Sequence, residues 1–144
     1  MMSKLFGGEN GMTSPGAKAN YNGQHLEAAV ACMLEITGHT FRTQEKLPIP
    51  GLFGEGITCD FVVNDSLIIE CKWQQKTGTT QQKLPYLVEN IKNSYPLPTI
   101  IIIDGPGFTL GAIKWLQAAV DNDRLLAVYS LNEAMAWLNN GGPV

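Results

Sequence analysis

Three charged residues interrupt two otherwise apolar runs: Asp60 lies in residues 57–63, and Glu70 and Lys72 lie in residues 67–73. Charges placed in apolar strands are costly unless they are paired or bind a metal. Glu70 and Lys72 are two apart and project from one face of a strand, while Ile69, Cys71 and Trp73 point the other way. Asn64, Asp65 and Ser66 read as the turn of a hairpin, and its length decides where Asp60 points. A two-residue turn at Asn64 and Asp65 sets residue 60 against residue 69 and puts the two carboxylates on opposite faces. A three-residue turn pairs residue 63 with 67 and sets Asp60 across from Glu70; Asn and Asp tolerate the left-handed backbone such a loop requires. The same register would put Cys59 opposite Cys71 on the other face, as reduced neighbours.

Directly opposed side chains have Cβ atoms about 4.5–5.5 Å apart, a separation at which two carboxylates repel unless a cation lies between them. Magnesium suits the site, with manganese expected to substitute, because it takes one or two carboxylates and completes its shell with water and substrate phosphate. Lys72 can steer or help deprotonate a metal-bound water and offset charge developing on phosphorus. The chemistry implied is phosphodiester hydrolysis. The competing explanation is an ordinary surface ion pair worth less than about 1 kcal/mol. Apolar residues on both faces of both runs argue against a solvated ribbon.

These residues need a scaffold. Residues 1–19, rich in glycine, read as an N-terminal arm, and residues 20–144 as one domain. Helical spacing of Leu26, Ala29, Val30, Met33 and Leu34 predicts a first helix from Asn22, its N-cap, to Thr37. An irregular strand over 39–47 and a Pro/Gly loop precede the hairpin. A polar segment from Gln74 to Thr80 leads to a helix ending near Asn93, with Pro85 in its first turn. Thr99 to Ile103 reads as a strand buried on both faces, Thr109 to Val120 as a helix, Leu125 to Tyr129 as a strand, and Leu131 to Leu138 as a helix capped by Ser130. The order α-β-β-β-α-β-α-β-α implies an α/β fold, a mixed β-sheet flanked by helices on both faces.

Asp60, nine intervening residues and then Glu70-Cys71-Lys72, within this element order, resemble the PD-(D/E)XK nuclease superfamily, the fold of many restriction endonucleases and junction resolvases. Cys59 stands where the motif's proline would be. The resemblance implies a restriction-endonuclease-like sheet, DNA as partner, Asp60 and Glu70 as magnesium ligands, and Lys72 as the water-activating or charge-stabilising group. It makes Glu27, at the edge of the first helix's buried stripe, an accessory acid. Gln74, Lys76 and Lys83 become candidates for DNA contact or for support around the metal. Gly105-Pro106-Gly107 has no Lys-Ser/Thr pair and reads as a tight turn rather than a phosphate loop. Trp73, Trp115 and Trp137 read as core.

Composition narrows the setting. The 144 residues, 44% hydrophobic and 16% charged, fit one domain. Three dispersed cysteines without ligand spacing, no long apolar run and no signal-peptide layout lead to the expectation of a cytoplasmic protein. A net charge of −3 excludes nucleic-acid binding by gross basicity. Locally, from Thr40 to Lys92, six basic residues match six acids, so a divalent ion would turn the region positive. The expected function is a magnesium-dependent endodeoxyribonuclease acting as a homodimer. Its rivals are a Holliday junction resolvase or other structure-selective nuclease, and a non-catalytic nucleic-acid-binding or assembly protein on the same fold.

Overall fold

The computed structural model describes residues 15–143, with side chains from residue 23 onward. The elements run α1 (Pro15–Ile36), β1 (Phe41–Lys46), β2 (Thr58–Val63), β3 (Leu67–Trp73), α2 (Thr79–Gln82), α3 (Leu84–Asn93), β4 (Thr99–Asp104), α4 (Leu110–Ala118), β5 (Leu125–Ser130) and α5 (Leu131–Asn139). One five-stranded sheet has the order β1-β2-β3-β4-β5. The first three strands pair antiparallel and β3, β4 and β5 pair parallel. Each parallel step is bridged by helix, as a parallel connection requires. This is the mixed sheet with flanking helices that the element order implied.

The core has two halves, one on each side of the sheet. Leu26, Val30 and Leu34 of α1 pack with Ala134 and Leu138 of α5 against Phe61, Val63, Ile69, Ile100 and Ile102. On the other face Leu84, Leu87, Val88 and Ile91 of α3 and Leu116 of α4 cover Val62, Ile68, Ile101 and Ile103. β4 is buried from Thr99 to Ile103 because it contributes side chains to both halves. Among the described residues, no helix is long and apolar enough to cross a membrane.

Most boundaries follow local signals. Ser130 accepts from the Glu133 backbone N–H while the Glu133 side chain accepts from the Ser130 N–H, a capping box that fixes where β5 ends and α5 starts. Thr109 caps α4 by accepting from the Ala112 N–H. Two readings need correction. Helix α1 begins at Pro15 rather than at Asn22, so residues 15–19 of the expected arm are helical, and residues 1–14 lie outside those described. Proline is pre-set for a first helical turn, so the start signal lies at Pro15, seven residues before Asn22. Trp115 is 46% exposed on α4 and is not a core residue, whereas Trp73 and Trp137 are partly buried against the α1/α5 half.

Candidate active site

The hairpin turn takes three residues. Val63 pairs with Leu67, and Asn64 and Asp65 have φ of 53° and 55°, the left-handed values that shape the turn. The register then runs through Val62↔Ile68 to Phe61↔Ile69 and stops. At the next step the two acids replace the ladder. The Asp60 backbone N–H donates to Glu70 Oε1 at 3.3 Å, and the Cys71 N–H donates to Asp60 Oδ2 at 2.7 Å. Asp60 and Glu70 thus meet where β2 and β3 part.

The opening extends into β1. Thr43↔Phe61 and Glu45↔Cys59 are paired, but between them Gln44 has φ of 49°, a costly value for a residue with a side chain. Its amide Nε2 reaches two acids, donating to Glu27 Oε1 at 3.1 Å and to Asp60 Oδ1 at 3.4 Å. On the opposite side of the site the Tyr95 hydroxyl donates to Glu70 Oε2. With α1 starting at Pro15, Glu27 lies mid-helix, away from the helix N-terminus where the dipole would favour an acid, and Gln44 ties it to the site.

Burial and mutual repulsion dominate the electrostatics. Glu70 is 3% exposed and its carboxyl is pushed up to about 8, first by burial and then by the charge of Asp60; Lys72 and the Tyr95 hydrogen bond pull it back. Burial also raises Glu27, with Asp60 adding to the effect and Lys72 and Gln44 opposing it. Burial and then the Glu70 charge raise the Tyr95 phenol, which stays a donor. Lys72 lines the same cleft and lowers both glutamates, yet among the described residues it closes no ion pair with either. Cys59 is pushed up to about 12 and Cys71 is raised as well, both first by burial, so both are thiols. They are not neighbours on one face. Cys59 packs in the α3/α4 half of the core and Cys71 in the α1/α5 half, because β2 loses its regular alternation at Asp60.

Glu27, Asp60, Glu70 and Lys72 line one open cleft of about 1250 Å³, with Gln74, Lys76 and Lys83 further along its wall. Gln74 is 4% exposed and both ends of its amide are engaged: Nε2 donates to the Gly107 carbonyl at 2.9 Å, and Oε1 accepts from the Gln81 N–H at 2.8 Å. The segment from Gln74 to Lys76 lies directly on the turn after β4. A Cβ at Gly105 would come within 2.4 Å of the Gln74 carbonyl oxygen, and one at Gly107 within 2.7 Å of the Lys76 backbone. Those glycines permit a close backbone approach and make a tight turn, as the sequence indicated. Lys76 and Lys83 are exposed. Three participants escaped the sequence reading: Gln44, Tyr95 and Asn90, whose side chain accepts from the Leu52 N–H at 2.9 Å. Gln44 sits in a polar strand, and Tyr95 lies in sequence far from the acid it binds, so neither carries a local signal.

The donor set fits a hard divalent cation. It is all oxygen, it combines two carboxylates in one opening, and burial together with the neighbouring Asp60 charge raises the buried one despite the opposing pull of Lys72, a penalty that a bound cation would relieve. Among the described residues no group of three or more His, Cys, Asp or Glu side chains forms a ready-made metal cluster. Two carboxylates are nevertheless the usual protein share for magnesium, which keeps water and substrate in its other positions.

A family model describing the PD-(D/E)XK nuclease superfamily domain matches residues 18–141. The chain belongs to that superfamily. Its members are generally nucleases, typically dependent on divalent metals such as Mg2+, so membership supports nuclease activity on a nucleic-acid substrate. No curated protein and no solved structure matches the chain.

Proposed function

We propose that this protein is a magnesium-dependent endodeoxyribonuclease. The observation that carries the reading is the exchange at the parted strands, where Asp60 takes the Cys71 N–H and gives its own N–H to Glu70, bringing two carboxylates and Lys72 into one cleft. Asp60 and Glu70 would hold the cation, which when bound lowers the pKa of a coordinated water and polarises the phosphate. The neighbouring chain groups divide the remaining work. Tyr95 fixes the Glu70 carboxylate, and Gln44 keeps Asp60 and Glu27 facing each other. Lys72 offsets negative charge as it builds on the phosphoryl oxygens. Glu27 supports the water side of the site as an accessory acid. Gln74 acts from behind the cleft by clasping the loop that presents Lys76, and Lys76 and Lys83 contact backbone phosphates. Cutting both strands of a duplex takes two such sites, and a homodimer supplies them.

Nicking of supercoiled plasmid tests the proposal. Cleavage is expected with magnesium or manganese, and none with chelator. Asp60→Ala, Glu70→Ala and Lys72→Ala should each lose it while keeping the parent's circular dichroism. Parental nicking by all three variants would overturn the assignment.

A further inference from the structure

The loop between β1 and β2 carries an exposed aromatic ring that the fold does not use. Phe53 is 85% exposed, yet it is held in place: its ring stacks on Tyr86 with centroids 5.6 Å apart and planes 15° from parallel. Its backbone is pinned on both sides. The Leu52 N–H donates to the Asn90 side chain at 2.9 Å, the Phe53 N–H donates to Glu55 Oε1 at 2.9 Å, and Gly51 and Glu55 close the turn at 2.9 Å. Tyr86 and Asn90 are four apart on α3 and share a face, so one helix both anchors the loop and provides the ring beneath Phe53. Asn90 is buried, and the loop is thereby docked rather than free.

Tyr86 lines the cleft that holds Asp60, Glu70 and Lys72, and Lys83, one turn before it, lines the same wall. An aromatic step thus continues the cleft outward, beside a cation suited to a phosphate. The Phe53 ring lies nearly parallel to Tyr86 in an offset stack and is otherwise exposed, so a flat π-system of similar size can extend the stack. In a duplex the bases are stacked on one another and cannot reach it; an unpaired base can.

The geometry points to Phe53 and Tyr86 as a stacking platform for an unpaired nucleobase at the outer wall of the cleft, which would make the protein selective for nucleic acid with locally unstacked bases. This inference rests on the nuclease reading of the cleft and specifies its substrate. Phe53 is a specificity residue, and its ring takes no part in the chemistry.

The test uses the full chain with chelator present, so that binding is read without cleavage. The probes are a paired duplex and the same duplex with a three-nucleotide bulge carrying 2-aminopurine. The parent should bind the bulged probe more tightly and quench its fluorescence. Phe53→Ala should abolish the quench and weaken bulge binding on the order of tenfold, leaving the paired duplex unchanged. Phe53→Trp should retain both properties, and Tyr86→Leu should weaken the quench. Equal binding and quenching by parent and Phe53→Ala would overturn the platform. So would loss of a dimer in sedimentation by Phe53→Ala, which would assign the ring to a second copy of the chain. Plasmid nicking by the parent and by Lys72→Ala, run alongside, separates the two readings. Nicking that depends on Lys72 while Phe53→Ala binds normally retains the nuclease and removes the platform. Quenching that depends on Phe53 without any metal-dependent nicking does the reverse.

Discussion

Strand β3 has two different neighbours. Toward β4 it is paired without interruption, from Ile68↔Thr99 to Trp73↔Asp104. Toward β2 the pairing ends at Phe61↔Ile69, and beyond it side-chain carboxylates take the backbone N–H groups. One strand is thus fixed from Ile68 to Trp73 on one edge and opened at one end on the other. The closed edge provides the rigidity that a precisely spaced site needs, and at the open edge Glu70 and Lys72 line the cleft. The two edges should therefore respond to mutation in opposite currencies, the open one in activity and the closed one in stability.

The largest effect is expected at the open edge. Removing an electrostatic group from a hydrolytic site typically lowers turnover by about 10²- to 10³-fold, and Lys72→Ala should do so in a single-turnover cleavage assay while its melting temperature stays near the parent's. A large loss of stability instead would mean that Lys72 serves the fold. At the closed edge Ile102, fully buried between Cys71 and Tyr129, should behave in the opposite way. Ile102→Ala should cost about 2–5 kcal/mol in urea unfolding, the usual range for a large-to-small change in a tight core. The folded fraction of that variant should cleave at close to the parental rate.

The open edge should also leave a mark on stability without any substrate. Folding pushes the Glu70 carboxyl from an ordinary value of 4.5 to about 8. Between those values the folded protein holds a proton that the unfolded chain has released, so stability falls as pH rises, by up to roughly 1.4 kcal/mol per pH unit. In the absence of divalent cation, unfolding curves from pH 5 to 8 should show this decline in the parent and a flatter profile in Glu70→Gln. Magnesium should restore stability near pH 8 in the parent, since a ligand of the folded state stabilises it by mass action. Parallel profiles for the two proteins would mean that Glu70 carries its charge unaided.

The sequence made the closed edge and the hairpin legible for local reasons. A run of four isoleucines between Pro98 and Gly105 suits a strand buried on both faces, and Asn64-Asp65 announces left-handed turn geometry, although the turn length, and with it the register, was settled only by the folded hairpin. Ser130 with Glu133 three residues on is a capping signal readable without a fold. The acids and Lys72 were visible because charge in an apolar run is conspicuous. What supports them was not. Tyr95 reaches Glu70 from just beyond the end of α3, Asn90 meets Leu52 across 38 residues, and Phe53 sits in a Pro/Gly loop where exposure is unremarkable until Tyr86 is found beneath it. These contacts exist only once the chain closes, and nothing in the neighbouring residues foreshadows them. The same holds for the two cysteines, placed on one face by simple alternation and separated because alternation fails at Asp60.

The finest test of the contrast lies at Gln44, where two effects overlap: a left-handed backbone inside a strand and an amide bridging Glu27 to Asp60. Gln44→Ala and Gln44→Gly both remove the amide, but only glycine accepts φ of 49° without penalty. If the backbone there is set by the parting of the strands, the glycine variant should be the more stable of the two by about 1 kcal/mol, the scale of the left-handed penalty. Both should cleave more slowly than the parent by a similar factor, because both lose the group that holds the two acids. If instead the amide alone forces the turn, the alanine variant will relax into regular pairing with Asp60, and the two variants will melt together. Comparing them separates strain that belongs to the open edge from strain that a single side chain imposes on it.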